Sequence, residues 1–316
     1  MRAAILYGPL DLRVERVPDP DHDHDHDHDH DVIVEVQAAT TCGTDVKMWR
    51  HGHRVLPPYP CPFGHEMAGV RVDTGERVLV SDSVACGQCG PCLASRPQIC
   101  RSPRWVLGGF AERIAAPQCA LHVIPDGLPA PAAAMAEPLA AAVHAVARGT
   151  DAGDVGVLGG GPMGLMLCSL LVAQGRSVTI ADRHPERLEQ ARELGVRGME
   201  RLDKHELVFE AIGRPEAWRQ AADAARPGGV VVLVGGCPGG TDVSFPSGPL
   251  HYDELELRGA FHHSPREIDA ALRSLARGEV DWRVLCGETI GLEQLPEALS
   301  APSGGRARKW VVDPRL

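Results

Sequence analysis

The stretch of sequence that most constrains the fold is VGVLGGGPMG, at residues 155–164. An apolar run typical of a strand leads into a G-x-G-x-x-G pattern, and an apolar helical stretch follows. Glycines at these positions allow a tight turn and let the backbone approach a pyrophosphate, whose charge faces the N-terminus of the helix. The segment therefore predicts a strand–turn–helix unit that binds a dinucleotide. The predicted contacts are Gly159, Gly161, Pro162, Met163 and Gly164.

An acidic residue at the end of the next predicted strand supports the dinucleotide interpretation. The strand SVTIAD ends in Asp182, 18 residues after Gly164, where a carboxylate would accept hydrogen bonds from the adenosine ribose hydroxyls. Asp182 favours NAD over NADP because it would repel a 2′-phosphate. Arg183 and Arg187 keep NADP as the less favoured alternative, and a purely structural glycine turn also stays open.

The pattern of apolar runs divides the chain into two parts. The first 125 residues are short β-like runs broken by Gly, Pro and Cys, whereas strand and helix patterns alternate after about Pro131. Such alternation predicts a parallel α/β sheet. We therefore predict a Rossmann-type nucleotide domain at residues 140–261, inserted into a β-rich domain formed by residues 1–139 and 262–316.

Four cysteines lie close together in CGQCGPCLASRPQIC, at residues 86–100. Their spacing, C-x2-C-x2-C-x7-C, suits a closed tetrahedral zinc site that holds a loop with little core of its own. An iron–sulfur cluster would have its fourth cysteine closer and followed by proline. Disulfides are less expected because the N-terminus does not read as a signal peptide. The predicted structural zinc ligands are Cys86, Cys89, Cys92 and Cys100.

Net charge and hydropathy narrow the classes of partner. The formal net charge of -10 argues against binding to nucleic acid or to an anionic membrane surface. No apolar run approaches the ~18 residues of a membrane span. We expect a soluble, cytoplasmic protein with a small-molecule partner.

A second set of metal-binding side chains is dispersed along the chain. Cys42 opens CGTD, His65 and Glu66 follow in FGHE, and Glu137 lies in AEPL before the predicted nucleotide domain. A thiolate, an imidazole and a carboxylate form the incomplete ligand set of a catalytic zinc, with one position open to substrate. Each residue alone also fits an ordinary buried thiol, core histidine or helix-surface acid.

These motifs, taken together and in this order, resemble the zinc-dependent medium-chain alcohol dehydrogenases, in the branch of sorbitol and threonine dehydrogenases. The resemblance covers nearly the whole chain and implies a GroES-like catalytic domain around the Rossmann domain. It implies two zinc ions per chain, NAD as cofactor, and a homodimer or homotetramer. The implied catalytic zinc ligands are Cys42, His65 and Glu137, with Glu66 as an alternating or additional ligand.

The same resemblance implies how the surrounding residues act on an alcohol. Asp45 would orient His65, and Thr44 would pass the substrate proton toward the cofactor ribose. Relatives often end this relay at a histidine, but Lys47 occupies that position here. Lys47 could act only with a depressed pKa, and His51 is a possible substitute.

The chain is also shorter than usual for this family. Two segments look like shortened versions of loops and of a strand–helix segment that relatives carry in fuller form: GVRVDTGERVLV and LGVRGMERLDKHELVFEAIG. The sequence leaves open whether one strand of the nucleotide sheet is lost or only shortened.

The substrate is less constrained than the chemistry. Trp49, His51, Tyr59 and the run FHHS at 261–264 are pocket candidates, although His262 and His263 could instead be surface residues. Glu137 and nearby histidines favour a polyol, sugar or amino alcohol. A threonine 3-dehydrogenase and a simple alcohol dehydrogenase remain alternatives, as do a non-catalytic zinc- and NAD-binding relative and a metal-buffering protein.

The metal-buffering alternative depends on the repeat DHDHDHDHDH at residues 21–30. In an extended strand, alternate histidines lie roughly 6.6 Å apart, whereas two ligands of one tetrahedral zinc lie only about 3.3 Å apart. We interpret the repeat as an adventitious metal-binding loop, with regulated metal binding as the alternative. Deleting it should leave turnover nearly intact.

Overall fold

The computed structural model describes residues 1–21, 31–301 and 305–316. The repeat, apart from Asp21, lies outside the described residues, so its interpretation stays a prediction.

Strands occupy both parts of the chain. Those of the described residues are β1 (Arg2–Gly8), β2 (Asp11–Arg16), β3 (Asp31–Thr40), β4 (Cys61–Pro62), β5 (Met67–Arg71), β6 (Arg77–Val80), β7 (Ser83–Val84), β8 (Arg104–Trp105), β9 (Arg113–Pro117), β10 (Leu121–Val123), β11 (Asp154–Leu158), β12 (Ser177–Ala181), β13 (Arg197–Met199), β14 (His205–Glu210), β15 (Ala225–Leu233), β16 (Glu256–Gly259), β17 (Cys286–Ile290) and β18 (Lys309–Val312).

Helices are concentrated after residue 130. The α-helices of the described residues are α1 (Gly43–His51), α2 (Gly90–Leu93), α3 (Ala130–Ala134), α4 (Ala136–Ala147), α5 (Pro162–Ala173), α6 (Pro185–Glu193), α7 (Pro215–Asp223), α8 (Ser247–Tyr252), α9 (Pro265–Ala276), α10 (Trp282–Leu285) and α11 (Leu295–Ser300).

The predicted parallel sheet is confirmed. Six strands lie in the order β13-β12-β11-β14-β15-β16, and every neighbouring pair is parallel. The central strand β11 is buried along four of its five residues, as expected for a sheet covered by helices on both faces. The glycine turn joins β11 to α5, which places it at the carboxyl edge of the sheet, where doubly wound folds bind ligands.

The third strand of this sheet is shortened rather than lost. Strand β13 has only three residues, and residues 200–204 link it to β14 without a helix. A parallel crossover usually needs a dozen residues or more. Here Leu202 is half-buried and packs against the cluster that includes Val208 and Val231, so the short link covers part of the face that a helix would cover.

The β-rich part contains three sheets within the described residues. The largest has seven strands, in the order β10-β6-β5-β3-β18-β17, with β9 also paired to β3. Strand β18 comes from the C-terminus and pairs with β3 through Val311 and Thr40, so the last residues return to the first part of the chain. The first 125 residues contain more helix than their pattern indicates, because Cys42 and Asp45 form a capping box that starts α1.

The hydrophobic core is continuous between the two parts. One buried cluster includes Ala68 and Leu79 of the β-rich part together with Val155 and Leu165 of the parallel-sheet part. Helix α4 lies at this junction and packs against α5 and α9. This packing fixes the position of the first turn of α4, which contains the candidate ligand Glu137.

Candidate functional site

The N-terminus of α1 presents the first candidate ligand. Cys42 is the N-cap residue, and its sulfur accepts a hydrogen bond from the Thr44 amide at 3.2 Å. The Cys42 amide in turn donates to Asp45 Oδ2 at 2.8 Å. Burial raises the pKa of the Cys42 thiol, and the Asp45 carboxylate raises it further. A positively charged partner would favour the thiolate form of this sulfur.

His65 lies between Cys42 and Asp45. Its Nε2 is 3.3 Å from Cys42 Sγ, and its Nδ1 is 3.0 Å from Asp45 Oδ1. Burial lowers the pKa of His65, but the charges of Cys42 and Asp45 outweigh burial and raise it well above its usual range. Asp45 lies at the side of the ring that faces away from Cys42, and its orienting role stays a prediction. Asp45 is fully buried, with 0% of its surface exposed, so this contact is shielded from solvent.

Glu66 is held by two partners that the sequence analysis did not identify. Lys309 Nζ donates to Glu66 Oε1 at 2.7 Å, and the Thr40 hydroxyl donates to Glu66 Oε2. Lys309 is itself buried. Burial raises the pKa of Glu66 to about 7, although the Lys309 ammonium opposes this change. Both carboxylate oxygens therefore have a hydrogen-bond partner, and the ligand role predicted for Glu66 stays a prediction.

Glu137, in the first turn of the junction helix α4, points toward the same region. Its Oε1 lies 3.1 Å from His263 Nε2. Burial opposes ionisation, but the hydrogen bond from His263 prevails and lowers the pKa of Glu137 to about 2. Ligand atoms of His65, Glu66 and Glu137 all lie within 4.8 Å of one another.

The donor set fits zinc. A sulfur from Cys42, a nitrogen from His65 and an oxygen from Glu137 are the three ligand types that zinc prefers. The 3.3 Å between Cys42 Sγ and His65 Nε2 is close to the roughly 3.5 Å expected between a sulfur and a nitrogen bound to one tetrahedral zinc. Cys42 and His65 are therefore spaced as two ligands of one metal, and Glu137 is the third candidate ligand.

The four-cysteine lobe also has the geometry of a metal site. Cys89 Sγ lies 3.4 Å from Cys92 Sγ and 3.8 Å from Cys100 Sγ, and Cys86 Sγ lies 4.0 Å from Cys92 Sγ. A tetrahedral zinc site with four thiolate ligands places the sulfurs about 3.8 Å apart. Backbone N–H groups of Arg101 and Cys92 lower the pKa of Cys89 to about 6. All four cysteines are free of disulfides, so they are available to bind zinc.

The glycine turn has no room for side chains at its closest approach. A Cβ at Gly164 would lie 1.8 Å from the carbonyl oxygen of Gly159, and Gly159 has a φ of 109°. Gly161 caps α5 without a side-chain hydrogen bond, so the amides at this helix N-terminus remain available to a phosphate. Pro162 begins the helix, and Met163 packs partly against the core.

Asp182 follows β12 and stabilises the glycine turn through hydrogen bonds. Its Oδ2 accepts from the Gly160 amide at 2.7 Å, and its Oδ1 accepts from the His184 amide at 2.9 Å. Arg187 Nη1 lies 3.5 Å from Oδ2, and Arg183 is exposed beside it. The carboxylate is therefore at the turn, as the sequence predicts, although its contact with a ribose stays a prediction.

The candidates for proton transfer differ in exposure. Thr44 is half-buried next to Cys42, whereas Lys47 and His51 are exposed on α1. Of the three, Thr44 is the residue that the fold places beside the candidate metal centre.

A cavity of about 270 Å³ adjoins the Glu137 region, and its lining includes His262 and His263. His263 is buried and His262 is mostly buried, so the alternative that both are surface residues is wrong. Trp49 packs instead in the core of the β-rich part. Neither His51 nor Tyr59 lines the cavity.

Asp82, which follows β6, is another residue that sequence reasoning missed. It is buried, and its Oδ1 lies 3.5 Å from Nε2 of both His262 and His263. In the sequence, the only indication that Asp82 is functional is that an acid follows the apolar run of a strand. The comparable indication for Lys309 is that it is the one charged residue of the segment KWVV.

No helix within the described ranges is both long and apolar enough to cross a bilayer.

Comparison with known proteins agrees with this geometry. Residues 28–126 match the alcohol dehydrogenase GroES-like domain, and residues 162–277 match the zinc-binding dehydrogenase family. The chain is 32% identical to an L-threonine 3-dehydrogenase of Chelativorans sp. (strain BNC1), over 89% of this chain and 91% of that protein.

Solved structures extend the likeness to the whole chain. A zinc-binding dehydrogenase from Sinorhizobium meliloti 1021, bound to NADP, has a TM-score of 0.89 at 28% identity and covers 99% of both chains. An alcohol dehydrogenase from E. coli CFT073, complexed with NADH, has the same fold, with a TM-score of 0.89 at 24% identity and 99% coverage of both chains. The GroES-like and Rossmann assignments are thereby confirmed. The chain belongs to the zinc-dependent medium-chain alcohol dehydrogenase family.

Proposed function

We propose that the chain is a dehydrogenase that uses zinc and NAD to oxidise a secondary alcohol, with a polyol, sugar or amino alcohol as substrate. The observations that carry this proposal are the two contacts of His65 at the junction of the two parts of the chain: its Nε2 lies 3.3 Å from Cys42 Sγ, and a ligand atom of His65 lies within 4.8 Å of one of Glu137. Three protein ligands leave one position of a tetrahedral zinc for a substrate oxygen.

Each residue of the site has a defined task in this reaction. Bound zinc supplies Lewis acidity toward the alcohol oxygen, and the bound nicotinamide accepts the hydride. Asp45 fixes the ring of His65. The Thr44 hydroxyl, beside Cys42, takes the alcohol proton and passes it outward. Glu66 anchors the segment next to His65 through Lys309 and Thr40.

The cofactor site is proposed at the glycine turn. The pyrophosphate binds the N-terminus of α5, and Asp182 accepts hydrogen bonds from the ribose. One related structure holds NADP and another holds NADH, so both cofactors are compared in the test. Asp182 supports NAD as the better substrate, and the exposed Arg183 is the group that would support NADP.

L-Threonine is the second candidate substrate. Its support is the 32% identity to an L-threonine 3-dehydrogenase over nine-tenths of that protein. Threonine is an amino alcohol with a secondary hydroxyl, so it also falls within the proposed class.

The experiment is a screen of NADH formation with polyols, aminocyclitols, L-threonine and simple secondary alcohols, together with the zinc content of the protein. Cys42→Ser serves as the inactive control, because it removes a proposed ligand and leaves the four-cysteine lobe intact. Turnover in the wild type that Cys42→Ser abolishes supports the proposal. A zinc-replete protein inactive on the whole panel would instead favour a non-catalytic relative or a metal buffer.

We also propose a homodimer or homotetramer. Among the described strands, β16 pairs only with β15, so its other edge is open. Leu250, Tyr252 and Phe261 flank this strand in the sequence and are exposed. An open edge accompanied by exposed apolar side chains is a surface that a second copy can cover. Light scattering after gel filtration tests the assembly, and a monomer at micromolar concentration would contradict it.

A further inference from the structure

Four potential metal ligands from three separate segments meet beside the proposed catalytic site. Asp82 follows β6, Glu137 lies in the first turn of α4, and His262 and His263 lie between β16 and α9. One ligand atom from each residue lies within 4.8 Å of those of the other three. Asp82, Glu137 and His263 are buried, and only 12% of the His262 side chain is exposed.

The distances in this cluster match the edges of a tetrahedral metal site. His263 Nε2 lies 3.1 Å from Glu137 Oε1 and 3.5 Å from Asp82 Oδ1, and His262 Nε2 lies 3.5 Å from the same Asp82 oxygen. Nitrogen and oxygen ligands at about 2.0–2.2 Å from one zinc lie roughly 3.3–3.6 Å from each other. Three of the six ligand separations therefore match a metal site, and the other three are no longer than 4.8 Å.

Hydrogen bonding within the protein does not account for the arrangement of Asp82. Its Oδ1 is buried and makes no hydrogen bond with any described residue, although two histidine nitrogens are 3.5 Å away. Buried carboxylate oxygens normally have a partner, because an unsatisfied polar group away from water is destabilising. A cation between Asp82 and the two imidazoles would supply that partner.

His262 is directed into the cluster by its backbone and its neighbours. It has a φ of 58°, which is uncommon for a residue other than glycine. Its ring lies against His263, with centroids 4.1 Å apart, and its Nε2 is 2.7 Å from the Ser83 hydroxyl. Metal binding would replace this hydrogen bond, and Ser83 could then turn toward the cavity.

We propose that a further divalent metal ion of the zinc class, in addition to the catalytic and structural zinc ions, binds next to the catalytic zinc. Its ligands are Asp82, Glu137, His262 and His263. Two imidazoles and two carboxylates form a donor set that zinc accepts. Because Glu137 also lies within 4.8 Å of His65, it is the one residue shared by the new site and the proposed catalytic site. His262 and His263 line the 270 Å³ cavity, so the new ion would lie beside it.

The test is the number of zinc ions per chain in untagged protein purified with zinc and passed through gel filtration. All proteins carry the five repeat histidines His22, His24, His26, His28 and His30 replaced by asparagine, so that the repeat adds no metal. We expect three zinc ions per chain, falling to two in Asp82→Asn and in His262→Gln. His122→Gln is the control, because His122 is a buried histidine paired with Asp269 outside the cluster, and it should retain three.

Two results would overturn the proposal: two zinc ions per chain in the parent protein, or three in both Asp82→Asn and His262→Gln. Circular dichroism and the Tm establish that each variant is folded. The count does not depend on turnover, so an inactive protein could still contain three zinc ions, and an active one could contain two.

Cobalt substitution tests the ligands without any variant in the cluster. Cobalt at Cys42 or at the four cysteines has thiolate ligands and gives sulfur-to-metal charge transfer in the near ultraviolet. The third equivalent should add only the weak visible bands of a nitrogen–oxygen site. If charge transfer grows with every equivalent bound, the proposed site is not the one being filled.

Discussion

Asp45 connects two parts of the candidate catalytic site with its two oxygens. One accepts from the Cys42 amide and the other lies 3.0 Å from His65 Nδ1. Asp45→Asn keeps an oxygen for the Cys42 amide but removes the charge behind the imidazole. Loss of such a partner typically lowers metal affinity by about 10–100-fold. We expect the variant to release catalytic zinc at a correspondingly lower chelator concentration; an unchanged release curve would contradict the assigned role of Asp45.

The exposure of the relay candidates leads to a second prediction at this scale. Thr44→Val should lower kcat by about 10²–10⁴, the usual contribution of a positioned proton-transfer group. Lys47→Ala should change kcat little, because Lys47 is exposed on α1. Valine preserves the shape of threonine, so zinc content serves as the control. Equal, large losses in both variants would identify Lys47 as the relay base.

Individual residues were predictable where their chemistry depends on local spacing. The four cysteines lie within 15 residues, and Cys42 precedes a turn that its own side chain caps. Asp82 and Lys309 could not be found in this way. Their partners, His263 and Glu66, lie 181 and 243 positions away in the chain, and only tertiary packing brings each pair together.

At the scale of elements, the carboxylate of Glu267 adds polar contacts to the packing of α9 against α4. Glu267 Oε2 accepts from the Ser264 amide at 2.6 Å as part of a capping box, and its Oε1 lies 2.7 Å from His144 Nδ1. Burial opposes ionisation, but these hydrogen bonds prevail and lower the pKa of Glu267. The helix next to the candidate ligands is therefore oriented by the ionised form of Glu267.

Glu267→Gln should lower the free energy of unfolding by about 1–2 kcal/mol at pH 7. A depressed pKa in the folded state means that the stabilisation is present above the usual carboxyl pKa of 4.5 and is lost as the pH falls through the lower, folded value. The difference between variant and wild type, measured by urea unfolding, should therefore shrink below pH 4.5. Glu189→Gln, an exposed residue of α6 paired with Arg192, should have little effect.

Some strands and helices could be predicted from the sequence and others could not, for physical reasons. Strands and helices of the parallel-sheet part have long apolar runs, and their order followed from the alternation of patterns. Helix α1 has a weakly amphipathic sequence and depends on its cap and on tertiary contacts. The link at residues 200–204 could not be predicted, because only packing of Leu202 against the sheet makes a helix unnecessary there.

At the scale of the molecule, the candidate site exists only where the two parts of the chain meet. Cys42 and Asp82 come from the β-rich part, Glu137 from the first turn of the junction helix, and His263 from the segment that follows the parallel sheet. Because one hydrophobic core continues through this junction, displacing one part against the other would separate the ligands. Metal binding and the relative position of the two parts should therefore stabilise each other.

Changing the Asp-His repeat tests whether function depends on this junction or on the repeat itself. Replacing His22, His24, His26, His28 and His30 with asparagine keeps the length of the segment and removes its imidazoles. All the candidate ligands described above lie elsewhere in the chain, so kcat/KM and the Tm should remain near their wild-type values. Weakly held metal, removed by brief dialysis against a mild chelator, should fall. A large loss of turnover in a folded variant that retains its tightly bound zinc would instead assign the repeat a catalytic or regulatory role, and would revive the alternative of regulated metal binding.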